Sequence, residues 1–226
     1  MKTKITIAIA TVIVLITGLV AVSVFMLQGF DSKLYVRTVL EHTFYGKVED
    51  AAEIMEGSTK EELIAHYEEG VAAFVKSNVL NGVEADEETE KKFVELGEKI
   101  FGAMKFDVET EEKISREEYK VTVSYKTSDI FLKYVDLIAA EQQRISDKVQ
   151  KGEYKGTAEE INKQMQDEFL GNAYLLLEEA YNTMEYSEKE STVFRVFVGE
   201  NDMFQMDDAE IKEFIVKIMR LDEIQD

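Results

Sequence analysis

The chain has 226 residues, with 26 basic side chains against 46 acidic ones, a net charge of −20, and neither cysteine nor proline. So acidic a balance excludes a nucleic-acid binder, which needs a basic footprint. The missing cysteine excludes a disulfide framework, a thiol nucleophile and a lipid-bearing cysteine. With 45% hydrophobic and 10% aromatic residues, the composition is that of a folded chain and not a disordered one.

Residues 5–27 form an apolar run with no charge after Lys4. As a helix it would be roughly 35 Å long, enough to cross the ~30 Å hydrocarbon layer with some tilt. The apolar core of a cleavable signal is about 7–15 residues and ends at small residues. Ala21-Val22-Ser23 offers such a site, but cutting there would leave an apolar N-terminus. The run therefore reads as a retained anchor, with cleavage as the alternative. Lys2 and Lys4 precede it, whereas Asp31, Lys33, Arg37 and Glu41 nearly cancel behind it. Positive charge stays on the cytoplasmic side. The expectation is a single-pass protein of the cell membrane, with residues 1–30 as anchor, the N-terminus cytoplasmic and residues 31–226 extracytoplasmic. The exported part holds 24 basic and 46 acidic side chains, a net −22. A field of that sign also disfavours adsorption to an anionic lipid surface. An exported domain without disulfides fits a Gram-positive-like bacterium.

After the anchor, Asp31-Ser32 can cap a helix running to Tyr45, stopped by Gly46. A short helical piece over 48–55 ends at Gly57. Ser58-Thr59-Lys60-Glu61 reads as a capping box. The helix behind it carries Leu63, Ile64, Tyr67, Val71, Phe74, Val75 and Val79 at spacings of three and four, until Asn81-Gly82 stops it. Another helix starts near Asp86 and turns Phe93, Leu96, Ile100 and Phe101 inward. The period then changes to two, through Met104, Phe106 and Val108, then Tyr119, Val121, Val123 and Tyr125, with a charged connector over 111–118. That pattern describes an antiparallel strand pair with one wet face. A long helix over 128–150 and a second launched by the capping box Thr157-Ala158-Glu159-Glu160 should form an antiparallel hairpin. Strands over 192–198 and 203–206 follow, then a last helix capped by Asp207. Without linker or repeat, the whole reads as α+β: one mostly helical domain with a small antiparallel sheet of about four strands.

Catalytic signatures are absent. The two histidines, His42 and His66, read as ordinary helix residues, since His66 in HYEEG lacks the partners a zinc site needs. No serine elbow, phosphate-binding glycine loop or dinucleotide fingerprint occurs. Acidic runs are plentiful: residues 84–90 (EADEETE), 109–112 (ETEE) and the pair Glu117-Glu118. Catalytic carboxylates need unequal surroundings that separate their pKa values, and these runs read as solvated charge and helix N-terminal acids. Asn201-Asp202 with Asp207-Asp208 lacks the ligand order of a calcium loop. Tyrosines are the remaining hint of a binding groove: Tyr35, Tyr45, Tyr119, Tyr125, Tyr134, Tyr174 and Tyr181 all fall on expected elements.

The segments YVRTVLEHTFYGKVEDAAEIMEGSTKEELIAHYEEG, YKVTVSY and VFVGENDMFQMDDAEIKEFI resemble a group of uncharacterised extracytoplasmic proteins of Gram-positive bacteria, many of them lipoproteins. The resemblance spans most of residues 34–219, and it implies an exported α+β domain but no activity. The present chain departs from the lipoproteins by using a helix in place of the lipidated cysteine. The expected function is a membrane-tethered, non-catalytic interaction module at the cell envelope, with the membrane and an envelope protein or peptide as partners, no cofactor, no metal and no nucleic acid. The alternatives are a carboxylate-dependent hydrolase of envelope glycans, and an accessory or sensor subunit of a membrane complex.

Overall fold

The computed structural model describes residues 22–23, 30–54, 58–199 and 203–224. Its elements follow the chain as β1 (Val22–Ser23), α1 (Ser32–Tyr45), α2 (Glu49–Ile54), α3 (Lys60–Phe74) running on into a π-helical turn (Val75–Val79), α4 (Glu87–Gly102), β2 (Lys105–Lys113), β3 (Glu118–Lys126), α5 (Ile130–Gln150), α6 (Ala158–Thr183), β4 (Glu190–Val198), β5 (Met203–Met206) and α7 (Asp208–Ile218), with a 3-10 turn at Leu221–Glu223. The fold is α+β and mostly helical. Four antiparallel strands form the sheet proper, and the two-residue β1 adds a fifth at its margin, in the order β1-β5-β4-β3-β2.

The helix starts follow local chemistry. Asp31 accepts from the Leu34 N–H at 2.8 Å, and Gly46 closes α1 in the left-handed conformation that a Cβ would disfavour. The box at α3 sits one residue later than the sequence suggests. Thr59 donates its N–H to Glu62 at 2.8 Å, and the Glu62 N–H returns to the Thr59 hydroxyl at 3.2 Å. Thr59 and Glu62 have the same spacing as Ser58 and Glu61, and the shifted start leaves Leu63 buried in the fourth helical position. The box at Thr157 and Glu160 stands where expected. Beyond Phe74 the expected regular helix gives way to the π turn, where the Leu80 N–H reaches the Val75 carbonyl five residues back. There α4 approaches closely, because Gly97 leaves a gap in which a Cβ would stand 2.7 Å from a Val75 methyl.

The strands are longer than the alternation implied. β2 runs to Lys113 and β3 starts at Glu118, so half of the expected connector is strand, paired through Glu111↔Val121 and Glu112↔Lys120. Cross-strand pairing with β3 decides this, since the charged residues still alternate between faces. One face of the sheet is covered by α1 and α7. Phe214 of α7 packs edge-on against Phe44, Tyr125 and Phe194, with centroids 5.2–5.9 Å apart. Phe101 then carries the core outward to Phe74, and Phe74 to Phe131 of α5. α1 runs antiparallel to β2: the Ser32 hydroxyl donates to Glu111 at one end, and the Tyr45 hydroxyl to the Met104 carbonyl at the other.

The N-terminal apolar run lies outside the described residues except for Val22 and Ser23. These two are extended and pair with Phe204 and Met203, where the sequence reading had helix. Edge pairing supplies partners for the outer backbone groups of the short β5. Phe30, assigned to the anchor by sequence, packs into the domain, its ring stacked on Phe204 at 3.9 Å. Among the described residues no helix is long and apolar enough to cross a membrane.

Candidate functional site

A groove of about 1080 Å³ lies between the N-terminal half of α4 and the face of α6 that runs beside it. Amphipathic periodicity builds its floor. Phe93 of α4 and Leu170 of α6 are buried, and Tyr174 meets Phe93 edge-on at 5.6 Å. The rim is polar and of both signs, with Glu84, Asp86 and Lys92 on one side and Glu159, Asn162, Lys163, Gln166 and Asp167 on the other. The Gln166 amide donates to the Glu84 carbonyl and ties the two walls together. Gly171 faces open space, with nothing within 4 Å of where a Cβ would stand, so it widens the groove without relieving a clash.

The structure draws one of the acidic runs into this rim and scatters the others. Within 84–90, Asp86 caps α4 by accepting from the Thr89 N–H at 2.8 Å, which holds its carboxyl below the usual range. Glu88 pairs with Lys92 at 2.7 Å. A carboxylate kept ionised by its cap is a poor proton donor. Along β2 and β3, Glu109 pairs with Lys189, Glu111 takes the Ser32 hydroxyl, and Glu118 meets Arg195 at 3.1 Å. Asp207 caps α7 through the Ala209 N–H. Asn201 and Asp202 lie outside the described residues.

Most of the tyrosines are core. The Tyr35 hydroxyl reaches the Phe204 carbonyl at 3.3 Å, Tyr125 meets Glu190, and Tyr119 and Tyr134 are buried. Burial raises the pKa of Tyr45 to about 12. Tyr181 packs half-buried against the core, so among these tyrosines the groove keeps Tyr174 alone.

Both histidines are helix residues, as expected, and the fold brings them together. His42 on α1 and His66 on α3 lie parallel, with centroids 6.1 Å apart. His42 is buried, and among the described residues neither ring nitrogen has a hydrogen-bond partner in good geometry. Burial and the nearby His66 hold its pKa below the ordinary value, against a weaker opposite pull from the Lys47 backbone. Among the described residues no three metal-ligating side chains converge. Sequence reasoning missed both this pairing and the groove's Lys163, Gln166 and Gly171, because each depends on which helices become neighbours and no local spacing records that.

The fold and groove define a small α+β domain with an open, mixed-charge surface cleft. No family model matches the chain, and no curated protein matches it. Among solved structures it is similar to a candidate lipoprotein (ycdA) from Bacillus subtilis, at 17% identity and a TM-score of 0.48, covering 80% of this chain and 56% of that one. The chain thus spans about half the length of that protein.

Proposed function

We infer that the chain is a membrane-tethered, extracytoplasmic binding module without catalytic activity, and that the α4–α6 groove takes a peptide or protein partner at the cell envelope. The observation that carries this reading is the groove itself, where the partly exposed Tyr174 ring rests on buried Phe93 and Leu170 under a rim of both charge signs. The exposed part of the Tyr174 ring offers a partner side chain an aromatic contact, and a mixed rim sets its orientation. Anchoring rests on the uncharged run of residues 5–27 and the positive charge before it. Pairing of Val22 and Ser23 with β5 would leave residues 5–21 for the span. Seventeen residues make about 25 Å of helix, at the short end of what crosses a bilayer.

The test fills the groove. Gly171→Trp places an indole where the backbone now faces open space, and Leu175→Trp, at a position on the same helix that is 58% exposed, serves as the control. Full-length protein in mild detergent should capture an envelope protein or peptide that Gly171→Trp loses and Leu175→Trp keeps. Equal capture by both variants contradicts the assignment of the groove. Turnover of an envelope glycan by the purified chain contradicts the non-catalytic reading.

A further inference from the structure

The way the chain enters its domain fixes which end of the domain meets the membrane. Phe30 is held by Phe204 at 3.9 Å, Tyr35 at 5.7 Å and Tyr119 at 5.6 Å. These contacts lie at the end of the sheet where β2 finishes and β3 and β5 begin. Within the apolar run Val22 is already paired with Phe204, so the residues left for a span, 5–21, join the domain with no intervening linker. One residue step reaches about 4 Å. The headgroup layer is itself about 5–7 Å thick on each side. A domain tethered this closely has no room to stand away from the lipid.

That end of the sheet carries two exposed apolar side chains. Ile114, 44% exposed, sits in the turn between β2 and β3, and Leu34, 40% exposed, lies in the first turn of α1. The Ser32–Glu111 hydrogen bond brings the two segments side by side. Lys33, Arg37, Lys113 and Arg116 flank them in sequence, and the nearby acids are engaged in part: Asp31 caps α1, Glu111 takes Ser32 and Glu118 pairs with Arg195. The rest of the domain carries nearly all of its net charge of −22.

We propose that this end is a lipid-docking face, which seats the domain on the headgroups of zwitterionic phospholipid with Leu34 and Ile114 in the interface. The proposal rests on the anchored reading of residues 5–27. It adds that the domain is held against the bilayer in one orientation, where a tether alone would leave it free to turn. Lysine and arginine stems suit such a surface, since their methylenes lie against apolar groups while the charge meets phosphate.

A chain without cysteine permits single-site labels. Full-length Leu34→Cys, Ile114→Cys and Lys126→Cys proteins carry the same fluorophore in phosphatidylcholine vesicles at low protein-to-lipid ratio. Lys126 ends β3, so it lies about 26 Å from the start of that strand by its residue rise. A nitroxide borne on the lipid headgroup should quench the labels at 34 and 114 about threefold more than the label at 126, because interfacial side chains sit roughly 5–10 Å into the boundary. A long flexible Gly/Ser insertion between Ala21 and Val22, ahead of β1, should narrow that difference while the protein stays on the vesicles. Equal quenching at all three sites, in protein that resists an alkaline wash, overturns the docking face and leaves the anchor standing. Protection from an aqueous quencher without lipid quenching means that a second copy covers the face, and overturns it as well. Loss of the protein from the vesicles on alkaline washing removes the anchor and the docking face together.

Discussion

His42 illustrates how one side chain sets a pH response. Its ring is buried beside His66 and Tyr67 on α3; Glu41 and Lys47, which pair at 3.1 Å, adjoin it on its own segment, and Glu98 acts on Tyr67 from α4. In the unfolded chain the imidazole takes a proton near pH 6.5; in the folded chain burial and His66 resist that proton. Protons therefore favour the unfolded state. Stability is full above about pH 6.5 and falls as the pH drops from there towards the lowered folded value. His42→Leu removes a buried polar ring with no hydrogen-bond partner in good geometry, and should raise stability by about 1 kcal/mol while flattening the acid slope. Thermal unfolding from pH 8 to pH 5 checks this; an unchanged slope in the variant would assign the acid response to another group.

Among the elements, the α5–α6 hairpin is held by charge. Glu168 of α6 receives Arg144 at 2.5 Å, Lys148 at 2.7 Å and the Tyr154 hydroxyl at 2.8 Å. Buried Glu141 takes Arg144 and Asn172. Hydrogen bonds from Lys148 and Arg144 pull Glu168 down to about 2. Its contribution is thus present above its ordinary value of 4.5 and is lost as the pH falls from there to about 2. The cluster is partly solvent-exposed, so Glu168→Gln should lower stability by only about 1 kcal/mol at neutral pH. The gap from wild type should close near pH 2. Denaturant titrations at both pH values measure it, and a gap that persists in acid would contradict the ion-pair account.

The same hairpin shows what sequence could tell. Its two helices, their antiparallel order and the Thr157–Glu160 box were all legible, because caps and amphipathic stripes are set by residues within a turn of each other. The box at α3 was legible only to within one residue, since two hydroxyl–glutamate pairs overlap there. The π turn after Phe74 was not legible, because it is imposed by α4 through Gly97. The extension of β2 over Glu111 and Glu112 was hidden because cross-strand pairing, and not local polarity, made it strand. The groove was hidden for a related reason: Asp86 and Tyr174 stand 88 positions apart, and their meeting depends on how α4 packs against α6.

For the molecule as a whole, topology and charge act together. A domain with a net −22 has little reason to approach an anionic surface, so on the proposed anchored reading contact with the membrane depends on the apolar run and its short connection. The central claim is that residues 31–226 stand outside the cell on a retained span. The most direct measurement is protease treatment of intact cells making the full chain, followed by mass spectrometry of the medium and the membrane pellet. The account predicts that peptides from residues 31–226 are released from intact cells, while the segment bearing Met1 to Lys4 and the apolar run stays in the pellet. Protection of residues 31–226 until the cells are lysed, or recovery from the medium of an untreated chain that begins near Val24, would contradict it.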